Sequence, residues 1–146
     1  MNKVQIFFNS ITAVIGAVVG FLFGEVTGLF WALLAFMALD YLTGVIIAII
    51  NKKLSSEVGF KGLAKKFLIL VFVAVGHVLD MHVLGNTAIV MTAVMLFYIA
   101  NEGVSLVENA ALLGLPVPKK IKDILEQIKN KSNEESEDEK DGTSNT

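Results

Sequence analysis

Asp40 and Glu102 lie inside long apolar stretches of this chain, where a charge is costly. Asp40 lies near the middle of the stretch 29–50, and Glu102 lies in the second half of the stretch 87–113. An ionised aspartate at the centre of a membrane helix costs about 2.5 to 3.5 kcal/mol, so it should be protonated, hydrogen-bonded or facing water. Intramembrane acids often mark an ion path. We therefore expect Asp40 to line or gate a pore, with a neutral acid bonded to a neighbouring helix as the alternative.

Polar side chains share a helical face with each of these acids. Thr43 and Gly44 follow Asp40 by three and four positions, and the polar residues of the fourth stretch recur at the same spacing. A polar stripe on a spanning helix meets polar groups of a partner or lines water. The predicted pore-lining or gating residues are Asp40, Thr43, Asn101, Glu102, Ser105 and Glu108, although Glu108 also suits the headgroup level. Tyr98 and Asn109 belong to the same stripe.

We find no set of residues typical of an enzyme. The chain has no cysteine, and all its basic residues are lysine. Lysine lacks the guanidinium group with which arginine binds phosphate and bases through paired hydrogen bonds. His77 and Asp80 share a helical face but His82 does not, and zinc usually takes four ligands. We expect headgroup contact or interhelical hydrogen bonds from these residues. We predict no catalytic residue, metal, cofactor or nucleic-acid partner.

The distribution of charge predicts an integral membrane protein. Hydrophobic residues make up 54% of the 146 positions, and between Val4 and Ile50 only Glu25 and Asp40 are charged. About 20 helical residues cross a hydrocarbon core of about 30 Å. We predict an all-α membrane domain over 1–115, with four transmembrane helices at about 4–23, 29–50, 67–84 and 87–113. Three spans are the alternative, and the first stretch is expected to be a retained helix rather than a signal peptide.

The lysines predict the orientation of these spans. Lys3 precedes the first stretch, and a membrane-surface basic loop between the second and third contains Lys52, Lys53, Lys61, Lys65 and Lys66. Further lysines follow the fourth stretch, whereas the other two connections have none. Lysine-rich loops stay on the cytoplasmic side. We therefore expect a multi-pass protein of the cytoplasmic membrane with both termini in the cytoplasm.

Small residues predict where helices approach closely. Glycine recurs every four residues in and after the first stretch, and Gly44 lies on the second. Such faces let helix backbones associate in lipid. We expect packing or self-association through Gly16, Gly20, Gly24 and Gly44, with Gly28 continuing the register. The sequence leaves open whether the partner is another span or another copy.

Beyond the membrane domain the chain changes character. Pro116 and Pro118 end the fourth helix. Apolar residues then recur at helical spacing to Ile128, which predicts an amphipathic cytoplasmic helix over 116–131, lying on the inner leaflet or against a partner helix. We expect its lysines, Lys119, Lys120 and Lys122, to form a timing or regulatory region that contacts anionic lipid. The acidic segment 132–146 is predicted to be disordered.

Two blocks of residues, in order from 40 to 118, resemble the phage holin family that includes clostridial toxin-secretion holins. The first block contains Asp40, Thr43, Gly44, Lys53, Ser55, Ser56, Gly59, Lys61, Gly62, Lys65 and Lys66. The second contains Asn101, Glu102, Ser105, Glu108, Asn109, Gly114, Pro116 and Pro118.

The resemblance implies a bacteriophage or prophage lysis protein. Holins of this kind oligomerise in the cytoplasmic membrane and open timed lesions, through which endolysin or large toxins pass without necessary direct contact. The resemblance leaves an antiholin partner open. The residues alone also fit two rivals, a small ion or solute channel or transporter subunit and a membrane adaptor. Against a transporter, the chain has no internal repeat.

Overall fold

Long antiparallel helices make up most of the described chain. The computed structural model describes residues 2–127 and 130. It contains α1 (Lys3–Phe23), α2 (Gly28–Ile50), α3 (Ser56–His82) and α4 (Ile89–Leu112), followed by a short helix, α5, over 119–127. Each of the four long helices is long and apolar enough to cross a membrane. The all-α, four-helix prediction is thereby confirmed, while the segment 132–146 lies outside the described residues.

Helix α3 begins at Ser56, not at Phe67 as its hydropathy indicated. Ser55 caps it, because its Oγ accepts a hydrogen bond from the Val58 N–H at 3.2 Å, and Glu57 lies in the first turn. Lysine is a good helix former, so the lysines that interrupt the apolar run do not interrupt the helix. Lys61, Lys65 and Lys66 are therefore helical, which corrects their assignment to a loop.

The core of the bundle is formed by α2, α3 and α4. Its side chains recur three, four or seven residues apart on each helix, which places them on one face. They are Phe30, Leu33, Met37, Ile69, Val73, Met91 and Met95. Helix α1 has no buried residue and packs mainly against α3, with its Phe23 ring also 5.2 Å from the Phe30 ring of α2. Its exposed apolar surface suits contact with lipid or with another helix.

The two ends of the bundle differ in how tightly they are closed. We call the end with the connections 24–27 and 83–88 the short-loop end, and the end with the connection 51–55 the lysine end. At the short-loop end, a Cβ on Gly76 would lie 3.0 Å from the Met91 Cα, so α3 and α4 are in close backbone contact. One turn further on, the fully buried Asp80 carboxylate accepts hydrogen bonds from the N–H groups of Val90 and Met91. Asp80 thus caps α4 from the neighbouring helix.

Helix α5 folds back against the bundle. A Cβ built on Gly103 would lie 2.8 Å from the Leu125 side chain and 3.1 Å from the Phe36 ring. The described part of the predicted amphipathic helix therefore packs on α4 and α2 within the chain. Its outward residues Ile121 and Ile124 remain about half exposed.

Gly76→Ala is expected to loosen the α3–α4 pair. The added methyl group meets backbone atoms of Met91, and overpacking of this kind costs about 1 to 3 kcal/mol. Gly44→Ala is the matched control, because nothing lies within 4 Å of that position and alanine favours a helix by about 1 kcal/mol over glycine. Unfolding midpoints in detergent should fall for Gly76→Ala and hold or rise for Gly44→Ala. Equal midpoints would contradict the close contact.

Candidate functional site: a buried ion network

Three ionisable side chains meet at one level of the bundle. Asp40, Lys66 and Glu102 each lie ten residues from the end of their helix at the lysine end. At 1.5 Å per residue this level is about 15 Å from that end, close to the mid-height of the bundle. Each long helix of the core therefore contributes one charged group at mid-height.

Lys66 joins the two acids. Its Nζ donates to Asp40 Oδ2 at 2.5 Å and also to Glu102 Oε2. On the other side of Asp40, the Asn109 amide donates to Asp40 Oδ1 at 3.2 Å and to Thr43 Oγ1 at 2.9 Å. The Thr43 hydroxyl in turn donates to backbone carbonyls one turn earlier in α2. These five residues form a continuous network, which we call the ion network.

The ion network is poorly solvated and carries an unbalanced charge. The side chains of Glu102, Lys66 and Asp40 are only 5, 14 and 16% exposed. With both acids ionised, two carboxylates and one ammonium give a formal charge of −1. Among the described residues, no buried side-chain nitrogen or oxygen lacks a hydrogen-bond partner. The arrangement can therefore hold charge inside an apolar bundle, but only while the three helices stay together.

The structure brings together part of the predicted pore-lining set. Asp40, Thr43 and Glu102 belong to the ion network, and Asn109 of the same α4 stripe joins them. Asn101 and Ser105 are half-buried and Glu108 is exposed, and none of the three joins the network. The helical spacing places the α4 residues on one broad face, but it does not show which of them contact another helix.

Lys66 is the member of the ion network that the sequence interpretation placed wrongly. It was grouped with the surface lysines, yet its ammonium lies at mid-height between two carboxylates. Lys52, Lys53, Lys61 and Lys65 are exposed, as surface lysines should be. The two acids in apolar stretches indicated that a cation could lie within reach, but only the helix neighbours show that it is Lys66.

The glycines predicted for helix packing have different surroundings. Nothing lies within 4 Å of a Cβ built on Gly16, Gly20 or Gly44, so these faces are open in the single chain. Gly24 instead ends α1 at φ +62°, with the His77 ring directly against it. Their part in self-association remains a prediction. Lys119, Lys120 and Lys122 are exposed on α5, and Lys122 lies 3.8 Å from Glu126.

Comparison with known proteins identifies the family. The sequence model described as "Bacteriophage holin family" matches residues 17–130, which include every member of the ion network. The chain belongs to the bacteriophage holin family. The holin family comprises membrane pore-forming proteins without enzymatic activity, and the resemblance drawn from residues 40–118 is thereby confirmed.

Relatives of this holin-family chain occur in several Gram-positive bacteria. The uncharacterised protein Lin0175 of Listeria innocua is 42% identical over 122 residues, covering 84% of this chain and 86% of the relative. An uncharacterised 14.9 kDa protein of Clostridium perfringens is 48% identical over 99 residues (68% and 75%). The uncharacterised protein YqxH of Bacillus subtilis is 38% identical over 130 residues (89% and 90%). No solved structure matches the chain.

Lys66→Met is expected to destabilise the bundle strongly. Removing one partner of a buried ion pair leaves the other charge uncompensated, at a cost of about 3 to 5 kcal/mol. The triple variant Asp40→Asn, Lys66→Met, Glu102→Gln should recover most of that loss, because no charge is then left unpaired. Unfolding in mixed micelles measures both, with Lys65→Met as the exposed control. A single variant as stable as Lys65→Met would refute the pairing.

Proposed function

We propose that this protein is a holin that oligomerises in the cytoplasmic membrane of a bacterial host. At a set time it opens lesions through which endolysin, or a large toxin in an export system, leaves the cytosol. The observation that carries this proposal is the match to the bacteriophage holin family over residues 17–130. The four long apolar helices support the membrane location.

The ion network supplies a mechanism for the timed step. In the resting chain Lys66 and Asn109 hold the carboxylates of Asp40 and Glu102 inside the bundle. Separation of α2, α3 and α4 would expose these groups, and they are stable in that state only if they face water. A rearranged assembly can provide such a surface by turning the polar faces of several copies toward a common lumen. The same groups thus favour the closed bundle and the open lesion, and disfavour intermediates exposed to lipid.

Membrane potential is the proposed timer. Moving one elementary charge through 100 mV is worth about 2.3 kcal/mol, and the ion network carries one unbalanced negative charge per chain. With the lysine end in the cytoplasm, as the lysine bias favours, the potential acts on this charge in every copy. The exposed lysines of α5 are proposed to hold the resting state against anionic lipid on the same side.

Expression with a cytosolic endolysin that lacks its own export signal tests the function directly. Turbidity and membrane potential are followed together, and a parallel culture receives an uncoupler early. We expect abrupt collapse of the potential, lysis that requires the endolysin, and premature lysis after the uncoupler, because a lesion must pass a folded enzyme. Slow and graded loss of potential without escape of the enzyme would instead favour a small ion or solute channel.

Asp40→Asn is expected to shift the time of lysis and weaken its response to the uncoupler. The substitution leaves Lys66 paired with Glu102 and removes the unbalanced charge on which the potential acts. Glu108→Gln, which removes an exposed acid of α4 outside the network, should keep the original timing and response. Both are measured in the same lysis assay at matched protein levels. Unchanged timing together with an unchanged uncoupler response for Asp40→Asn would exclude the proposed role.

A further inference from the structure

A cleft of about 270 Å³ separates α2 from α3 on the lysine-end side of the ion network. Its α2 wall includes Gly44, Val45 and Ala48, and its α3 wall includes Gly59 and Gly62. The glycines leave the cleft wide, and α2 and α3 pack less closely on each other than on α4. The Tyr41 ring bridges the two walls, since its hydroxyl donates to the Gly59 carbonyl at 3.3 Å.

The inner end of this cleft is charged. Asp40 and Lys66 line it there, and the exposed Lys65 lines it as well. The Asp40 and Lys66 side chains are 16 and 14% exposed, whereas the Glu102 side chain on the α4 side is only 5% exposed. A cavity holds water when it is roomy and offers two to four polar partners. The carboxylate, the ammonium groups and the Tyr41 hydroxyl meet that requirement.

We propose that the α2–α3 cleft is an aqueous vestibule that brings cytoplasmic water, and with it protons, to Asp40 and Lys66 in the resting membrane protein. Acyl chains are the alternative occupant, and they would leave the ion pair without any solvation at mid-height. Water in the cleft removes part of that cost. The charge of the lining therefore favours water over lipid.

An aqueous vestibule changes where the membrane potential acts. Water conducts the cytoplasmic potential to the level of Asp40 and Lys66, so the remaining drop falls across the half of the bundle between the ion network and the short-loop end. That half is closed by the Asp80 cap and by the apolar core. The inference concerns the resting chain and does not require that it lyses cells.

Single cysteines in this cysteine-free chain test the vestibule without background. Val45 lines the cleft, whereas its neighbour Ile46 lies at nearly the same depth, outside the cleft lining and 46% exposed on the outside of the bundle. Val45→Cys and Ile46→Cys are expressed at low level, without endolysin, and treated with a membrane-impermeant cationic methanethiosulfonate. The reagent is added to intact spheroplasts or to inverted membrane vesicles.

We expect Val45→Cys to react at least about tenfold faster than Ile46→Cys in inverted vesicles, because only the thiolate reacts and it forms in water. In spheroplasts both should be unreactive. Ala48→Cys and Ile49→Cys form a second pair nearer the mouth, in case Val45→Cys does not fold, and labelling after denaturation measures the total thiol of each. Equal, slow reaction of both members of each pair would show a lipid-filled cleft and overturn the proposal. Faster reaction of Val45→Cys from the outside would overturn its cytoplasmic opening.

Discussion

Lys66 places a positive charge at the level of the bundle where Asp40 and Glu102 would otherwise be buried without a counter-ion. Much of the architecture follows from this requirement. Helix α3 must start early enough to carry Lys66 to mid-height, and α2 and α4 must both approach α3 closely enough for their acids to share one ammonium. Asn109 then satisfies the remaining side of Asp40 and ties α2 directly to α4. The polar groups of the ion network thereby fix the relative register of the three helices.

The helices pack more tightly on the short-loop side of the ion network than on the lysine-end side. Toward the short-loop end, Gly76 and the Asp80 cap hold α3 and α4 together through backbone contact, and the apolar core fills the space among the three helices. Toward the lysine end, the cleft separates α2 from α3, and the Tyr41 ring bridges them. A rearrangement that separates α2 from α3 would therefore meet least resistance at the lysine end.

The sequence predicts the fold class well and only some members of the candidate site. Hydropathy found all four long helices because spanning segments must be apolar over most of their length. It failed at the start of α3, where the Ser55 cap, rather than apolarity, marks the boundary. The cost of a charge inside a membrane singled out Asp40 and Glu102, which both lie in the ion network, but the pairing with Lys66 depends on which helices are neighbours. The packing of Leu125 on Gly103 also required the fold, since periodicity gives a face of α5 without its partner.

The ion network is a poor device for stability alone, and this bears on its role. Replacing a buried ion pair or triad by well-packed apolar residues is often neutral or stabilising, whereas breaking one partner is strongly destabilising. A bundle that only had to persist in lipid would lose nothing by being apolar at this level. The charges make the stability of the closed state depend on the simultaneous docking of three helices and on the local electric field. A protein that must stay closed until a defined moment and then open abruptly requires that kind of conditional stability, which is why we propose a gating role for the network.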